Sequence, residues 1–286
     1  MLQRKNETFF ACACAYETAR LVLFGAPYDS TASFRPGTRF APKAMRGDSY
    51  SLETYSPYQD KDLADSLFFD SGDLELPFGS AERALPMIRK CAATILADGK
   101  LPLMIGGEHL VSLGAIQAAH ELFADLHVLH FDAHTDLRDS YYGEKLSHAT
   151  VIRRVWDILG DGRIWQFGMR SGEREEFAWA ARHTSLHKFT FAGLDEAIEQ
   201  LRGKPVYFTL DLDVLDPGYL PGTGTPEAGG VDFPTLLQAI NRIATLNIVG
   251  CDMVELCPPC DQSGASTALA LKLLRELLIS LDNFEA

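Results

Sequence analysis

Apolar residues along this chain fall into short unbroken runs separated by longer stretches with helical spacing. The runs lie at 21–25, 67–69, 101–105, 126–131, 164–168, 206–212 and 248–254. Helical patterns fill 81–98, 110–123, 148–159, 172–183, 193–202, 233–245 and 264–281. Unbroken runs predict strands, and apolar recurrence at three and four predicts helices, so the order is repeated βα. A strand that is apolar at every position is buried on both faces, which predicts an α/β fold with helices covering both sides of a mostly parallel sheet. No repeat, low-complexity linker or charge block interrupts the pattern, and residues 1–286 read as a single domain. Two long irregular stretches, 27–42 and 217–234, are rich in Gly, Pro and Thr, and loops of that length in a compact domain usually carry function.

Composition narrows the class. At 47% hydrophobic and 23% charged, with no apolar run of about 18 residues, the chain reads as a soluble globular protein without a membrane segment. Met1 to Ala15 joins two early cations to the apolar stretch Phe9 to Ala15. That stretch is short for a leader and Glu7 breaks its approach, so it reads as a segment at the surface edge. Six scattered cysteines form no dense disulfide framework, which points to a reducing compartment and hence the cytoplasm. A net charge of −13 without a basic cluster argues against nucleic acid and favours a small cationic substrate or no charged partner at all.

The chemistry sits where the apolar runs end, because parallel sheets bind ligands at the carboxyl ends of their strands. The third run leads into Gly106-Gly107-Glu108-His109, and the fourth into Asp132-Ala133-His134-Thr135-Asp136. Another ends in Asp211-Leu212-Asp213, and the last in Asp252-Met253-Val254-Glu255. A spacing of two places Asp132 with His134, and Asp211 with Asp213, on the same side of an extended backbone. If these strands are neighbours, four carboxylates and the imidazoles of His109 and His134 share one small volume. Like charges about 4 Å apart repel by about 4 kcal/mol at an effective dielectric near 20, so the cluster needs cations. Arg138 alone lies nearby in sequence, whereas two divalent ions match the four aspartates. Helix capping is the ordinary explanation for any one Asp, but it does not produce Asp-x-His and Asp-x-Asp pairs at the ends of separate buried strands. Oxygen-rich ligands with a minority of imidazole suit Mn²⁺ better than structural Zn²⁺.

At these residues the sequence resembles the ureohydrolase family of arginases and agmatinases. The resemblance rests on Gly-Gly-Glu-His at 106–109, Phe-Asp-Ala-His-Thr-Asp at 131–136, and the segment 209–230 with its Asp-x-Asp-x-x-Asp-Pro and Gly-Thr-Gly-Thr-Pro-Glu-x-Gly-Gly. Tyr-Asp at 28–29, Arg-Pro-Gly-Thr-Arg-Phe-Ala-Pro at 35–42 and Met-Val-Glu at 253–255 extend it over nearly the whole chain, which looks most like bacterial agmatinases. It implies a three-layer αβα sandwich around a sheet of about eight strands, two Mn²⁺ ions, and a trimeric or hexameric homo-oligomer. The activity implied is cleavage of agmatine to putrescine and urea. Guanidinobutyrate, aminopropylagmatine and arginine are alternative substrates, and a catalytically silent regulatory relative is the remaining reading.

The same resemblance assigns ligands: His109, Asp132, Asp136 and Asp211 for one metal, and His134, Asp132, Asp211 and Asp213 for the other. Asp136 would also orient the attacking water, Glu255 would bind the guanidinium, and His148 would shuttle protons. Arginases carry an Asn where this chain has Arg138, and the loop 137–147 offers Asp139 and Glu144 to a distal ammonium instead. Glu108 stands where many members have Asp, a change expected to matter little, and Ala149 stands where agmatinases often have Gly. Cys257-Pro258-Pro259-Cys260 follows the last strand without a second Cys pair, so it reads as two reduced structural cysteines, with redox sensitivity left open.

Overall fold

The computed structural model describes residues 7–282. Its strands, in chain order, are β1 (Leu21–Ala26), β2 (Tyr55–Ser56), β3 (Lys61–Asp62), β4 (Phe68–Asp73) and β5 (Leu101–Gly106). They continue with β6 (His127–Phe131), β7 (Ile164–Met169), β8 (Ser185–Lys188), β9 (Pro205–Asp211) and β10 (Asn247–Val254). The helices are α1 (Ala41–Asp48), α2 (Ala81–Ala97), α3 (Ser112–Leu122), α4 (Val151–Leu159), α5 (Arg174–His183), α6 (Leu194–Leu201), α7 (Phe233–Ile243) and α8 (Ala265–Leu281). Eight strands form one sheet in the order β4-β1-β5-β10-β9-β6-β7-β8, and every neighbouring pair is parallel.

Strand side chains alternate between two separate cores. Leu21 and Leu23 of β1, Leu103 and Ile105 of β5, and Phe208 and Leu210 of β9 join α1, α6, α7 and α8 on one face. Val22 and Phe24, Met104 and Tyr207 point the other way, into α2, α3, α4 and α5. Burying both faces is what makes the runs apolar at every position, and each Leu or Phe so buried contributes roughly 1.5–3 kcal/mol. The three-layer αβα sandwich expected from the sequence is present.

Three elements escape the apolar pattern. Strand β8 reads Ser-Leu-His-Lys, half-buried, because an edge strand faces solvent and carries polar residues. The β2–β3 hairpin is too short for periodicity to register. Helix α1 begins inside the stretch taken as irregular, with Pro42 in its first turn, where a missing N–H costs nothing. At the start of the described chain Glu7, Ala11, Ala13 and Ala15 are exposed while Phe9 and Phe10 are buried in the first core, so the segment runs along the surface edge with two aromatic rings turned inward. The two early cations of that stretch lie outside the described residues, as do 283–286. Among the described residues no helix is long and apolar enough to cross a membrane.

Candidate metal centre

The order of the sheet reverses around its four central strands. β5 and β6 follow each other through α3, yet β10 and β9 are inserted between them. A crevice opens at the carboxyl ends of strands where the winding direction reverses. His109 follows β5, Glu255 follows β10, Asp211 ends β9, and Asp132 follows β6, so all four clusters read from the sequence meet there.

The two Asp-x pairs converge by a different route from the extended spacing expected. The His134 N–H donates to Asp132 Oδ1, and the Asp213 N–H donates to Asp211 Oδ1 at 2.8 Å. Asp213 lies in a 3₁₀ turn that Asp211 caps. Each leading Asp thus folds the chain back on itself through its own side chain, a turn in which Asp competes well. One carboxylate oxygen is spent on the turn, and its orientation leaves the other facing the crevice. Asp213 is fixed in the same way by the Ala133 N–H on its Oδ1 at 3.1 Å.

The six predicted ligands come together. His109 Nδ1 lies 3.1 Å from Asp132 Oδ2, 3.2 Å from Asp136 Oδ2 and 3.3 Å from Asp211 Oδ2. His134 Nδ1 lies 2.9 Å from Asp213 Oδ2 and 3.5 Å from Asp132 Oδ1. Two groups of potential ligands result, one of His109, His130, Asp132 and Asp136, the other of Asp132, His134 and Asp213, with Asp132 in both and Asp211 in neither. On its far side His109 Nε2 is 2.9 Å from Thr209 Oγ1, whose own hydroxyl donates to Asp252 at 2.6 Å. Thr209 Oγ1 therefore accepts the Nε2 hydrogen, and in the neutral ring the Nδ1 lone pair faces three carboxylate oxygens. Buried His109 Nδ1 and Asp213 Oδ2 have no hydrogen-bond partner among the described residues.

The electrostatics fit a cation at this point. Burial pushes the Asp136 and Asp211 carboxyls up, and repulsion from Asp132 on the first and Asp213 on the second adds to it. Burial would lower the two imidazoles, but the carboxylates beside them hold His109 and His134 well above the ordinary range. The aspartates that repel one another are thus balanced in part by the two imidazoles, and bound divalent cations would take over that balance. The ligand chemistry, carboxylate with some imidazole, suits hard divalent ions such as Mn²⁺ or Mg²⁺ and includes no thiolate.

Beside this cluster is a cavity of ≈ 280 Å³, lined by His134, Asp136, Arg138, His148 and Glu255 among others. Glu255 is buried, with a left-handed φ of 66°, and accepts the His109 N–H on Oε1 at 2.7 Å. Among the described residues no cation pairs with it, and burial followed by repulsion from Glu108 pushes its carboxyl well up. Asp136 also has positive φ, 52°, so strained backbone marks two positions in this site. Burial, and then the charge of His134, lowers the His148 imidazole to about 4, leaving it neutral near pH 7. The loop 137–147 does not offer its acids to the cavity. Asp139 is drawn outward to Arg154 of α4 at 3.0 Å, and neither it nor the exposed Glu144 is among the residues that line the cavity. Arg138 does line the cavity, paired with Glu173 at 3.1 Å and Glu176 at 3.5 Å and stacked on the Tyr141 ring. Cys257 and Cys260 are free thiols, and Cys257 is buried with burial raising its pKa, which disfavours a reactive thiolate.

Sequence reasoning missed the residues that hold this cluster from behind. His130 Nε2 is 2.8 Å from Asp132 Oδ2, and its Nδ1 is 3.1 Å from the Gln166 amide nitrogen. An amide N–H can only donate, so Nδ1 accepts and Nε2–H donates to Asp132. With both nitrogens engaged, His130 orients a ligand and does not serve as one. Arg170 donates to the carbonyls of Asp213, Val214, Leu215 and Glu227, bracing the turn that carries Asp213. A signal did exist: His130, Gln166 and Thr209 are polar residues inside apolar runs, and a buried polar group must have a partner.

Residues 19–280 match the model of the arginase family. An agmatinase of Bacillus subtilis (strain 168) is 46% identical over 279 residues, covering 96% of each chain. An agmatinase of Bacillus anthracis is 47% identical over 278 residues, again covering 96% of both. The crystal structure of the agmatine ureohydrolase of Thermoplasma volcanium superposes with a TM-score of 0.89 at 37% identity, covering 98% of this chain and 95% of that one.

Proposed function

The chain belongs to the arginase family, and from that premise we propose that it hydrolyses agmatine to putrescine and urea with two Mn²⁺ ions. It is a hydrolase of guanidino compounds. The observation that carries the finer reading is the buried Glu255 carboxylate, without a cation partner among the described residues, facing a cavity beside two ligand groups that share Asp132.

His109, Asp132, Asp136 and Asp211 would hold one ion, and His134, Asp132, Asp211 and Asp213 the other. When bound, two such ions polarise the substrate and lower the pKa of water from 15.7 toward about 7. Glu255 binds the guanidinium, offsetting a positive charge placed near the metals and fixing its carbon in line for attack. Asp136 orients the attacking water through a hydrogen bond. Attack makes the carbon tetrahedral, and its collapse releases urea and leaves an amine that needs a proton. His148, neutral near pH 7, takes a proton from the site or solvent and passes it to that amine.

Arg138 bears on the substrate. Its charge is already met by Glu173 and Glu176, so a substrate carboxylate would have to displace an existing ion pair. That favours agmatine over guanidinobutyrate or arginine. A cytoplasmic, homo-oligomeric enzyme, trimer or hexamer, folded as one ureohydrolase-like domain over 1–286, completes the reading. Urea release with Mn²⁺ from agmatine, arginine, guanidinobutyrate and aminopropylagmatine tests it. Highest kcat/KM on agmatine is expected, and a higher value on a guanidino acid would overturn the substrate. Urea release from none of them would favour a silent relative.

A further inference from the structure

Thr31 lies in the long loop after β1, and no motif singled it out. Its N–H donates to Glu108 Oε2 at 2.9 Å and its hydroxyl donates to Glu108 Oε1 at 2.8 Å. The same Oγ1 accepts the His148 N–H at 3.1 Å and lies 3.3 Å from His148 Nδ1. Ser33 Oγ is 3.3 Å from His148 Nε2, and the Tyr141 ring meets the imidazole edge-on at 5.6 Å. Glu108 is buried at the end of β5, so the loop is tied to the rigid sheet through both of its carboxylate oxygens.

We propose that Glu108 and Thr31 form a brace that sets the ring of His148 over the cavity, both being positioning residues for the hydrolysis. The proposal rests on the proton-transfer role given to His148 above. His148 opens a 3₁₀ turn whose cap, Ser147 and Thr150, fixes the backbone but leaves the ring torsions free. Proton transfer demands a donor within about 2.6–3.2 Å of its acceptor, so a ring sampling several rotamers is in place only part of the time. Thr31 holds the backbone N–H and one ring nitrogen of His148 through a single oxygen. The opposite nitrogen is left with Ser33, on the side where Ser33 itself lines the cavity.

The test uses Thr31→Val, which keeps shape and β-branching and removes the hydroxyl, with Thr31→Ser as the conservative partner. Each is made in the wild-type and in the His148→Ala background, loaded with Mn²⁺ and assayed on agmatine. Thr31→Val should lower kcat roughly tenfold, the size of one lost orienting hydrogen bond, with KM and metal content unchanged. Thr31→Ser should restore most of the rate. In His148→Ala, Thr31→Val should have no further effect. Unchanged kcat in Thr31→Val, an equal loss in both backgrounds, or loss of metal would each overturn the brace. A wild-type enzyme that releases no urea overturns the functional reading itself, which separates the two failures.

Discussion

Thr209 Oγ1 stands between His109 Nε2 at 2.9 Å and Asp252 Oδ1 at 2.6 Å, joining a crevice imidazole to a carboxylate inside the sheet. Tyr207 donates to the other oxygen of Asp252 at 2.9 Å, so this carboxylate is held and cannot swing into the crevice. The relay keeps the hydrogen of His109 on Nε2 and presents Nδ1 to the aspartates. Thr209→Val preserves shape and removes the relay. Metal affinity should fall about 10–100-fold, the usual loss for a partner behind a metal ligand, with the fold intact. Competitive titration with a chelating dye measures it, and unchanged affinity would show that the relay does not matter.

Asp132 belongs to both ligand groups, whereas Asp213 belongs to one. Asp132→Asn should therefore lose metal from both positions, and Asp213→Asn mainly from one. The amide oxygen can still accept the His134 N–H at position 132 and the Ala133 N–H at position 213, and although the new NH2 at 132 then meets the His130 Nε2–H, circular dichroism should show both variants folded. Metal content by atomic absorption after dialysis checks this, and equal stoichiometry in the two variants would contradict the shared position of Asp132.

How much of this was legible depends on where the signal sits. The parallel sheet was readable because burial on both faces leaves no polar gaps in strands such as β1 and β5. The six clustered Asp and His residues were readable because they follow apolar runs directly, and only a crevice makes such chemistry pay its way. Strand β8 and helix α1 were not, since an edge strand needs no apolar pattern and Pro42 looks like a breaker when its first-turn position is unknown. Thr31 and Arg170 act through contacts with residues far along the chain, Glu108 and His148 for the first, Asp213 and Glu227 for the second. No local spacing encodes such pairs. Asp139 shows the converse, a residue with suitable charge and sequence position that Arg154 draws elsewhere.

His127, at the start of β6 and away from the crevice, gives the chain a pH dependence of its own. Burial, reinforced by Lys204 and Arg163, lowers its imidazole to about 4, and Nδ1 has no partner among the described residues. The unfolded chain, with a pKa near 6.5, then binds the proton more readily than the folded one. Stability attributable to this group is full above about pH 6.5 and is lost as pH falls toward 4. His127→Leu should remove that slope, so the gap between variant and wild type should shift in the variant's favour by about 2 kcal/mol from pH 7.5 to 5. Urea denaturation at fixed metal and several pH values measures it. Parallel stability curves for the two proteins would mean that the imidazole titrates alike folded and unfolded.

Glu255 should prove costly to the fold and necessary to the reaction. It is a buried carboxylate with left-handed backbone, one N–H from His109 and no cation partner among the described residues. Such a group destabilises the protein until a cation arrives, which makes it a ready receptor for a guanidinium. Glu255→Gln keeps the shape and can still accept the His109 N–H, but it removes the charge. The variant should bind both metals and melt at the same temperature as wild type or higher, because the cost of ionising a buried carboxyl without a cation partner is gone. A hydrogen bond to a charged group contributes about 1.5–3 kcal/mol, so kcat/KM for agmatine should drop by more than roughly tenfold. The two readouts move in opposite directions only if the charge is kept for the ligand and not for the fold. A Glu255 that served structure alone would give a lower melting temperature and an unchanged rate, and that pair of results would remove it from guanidinium binding.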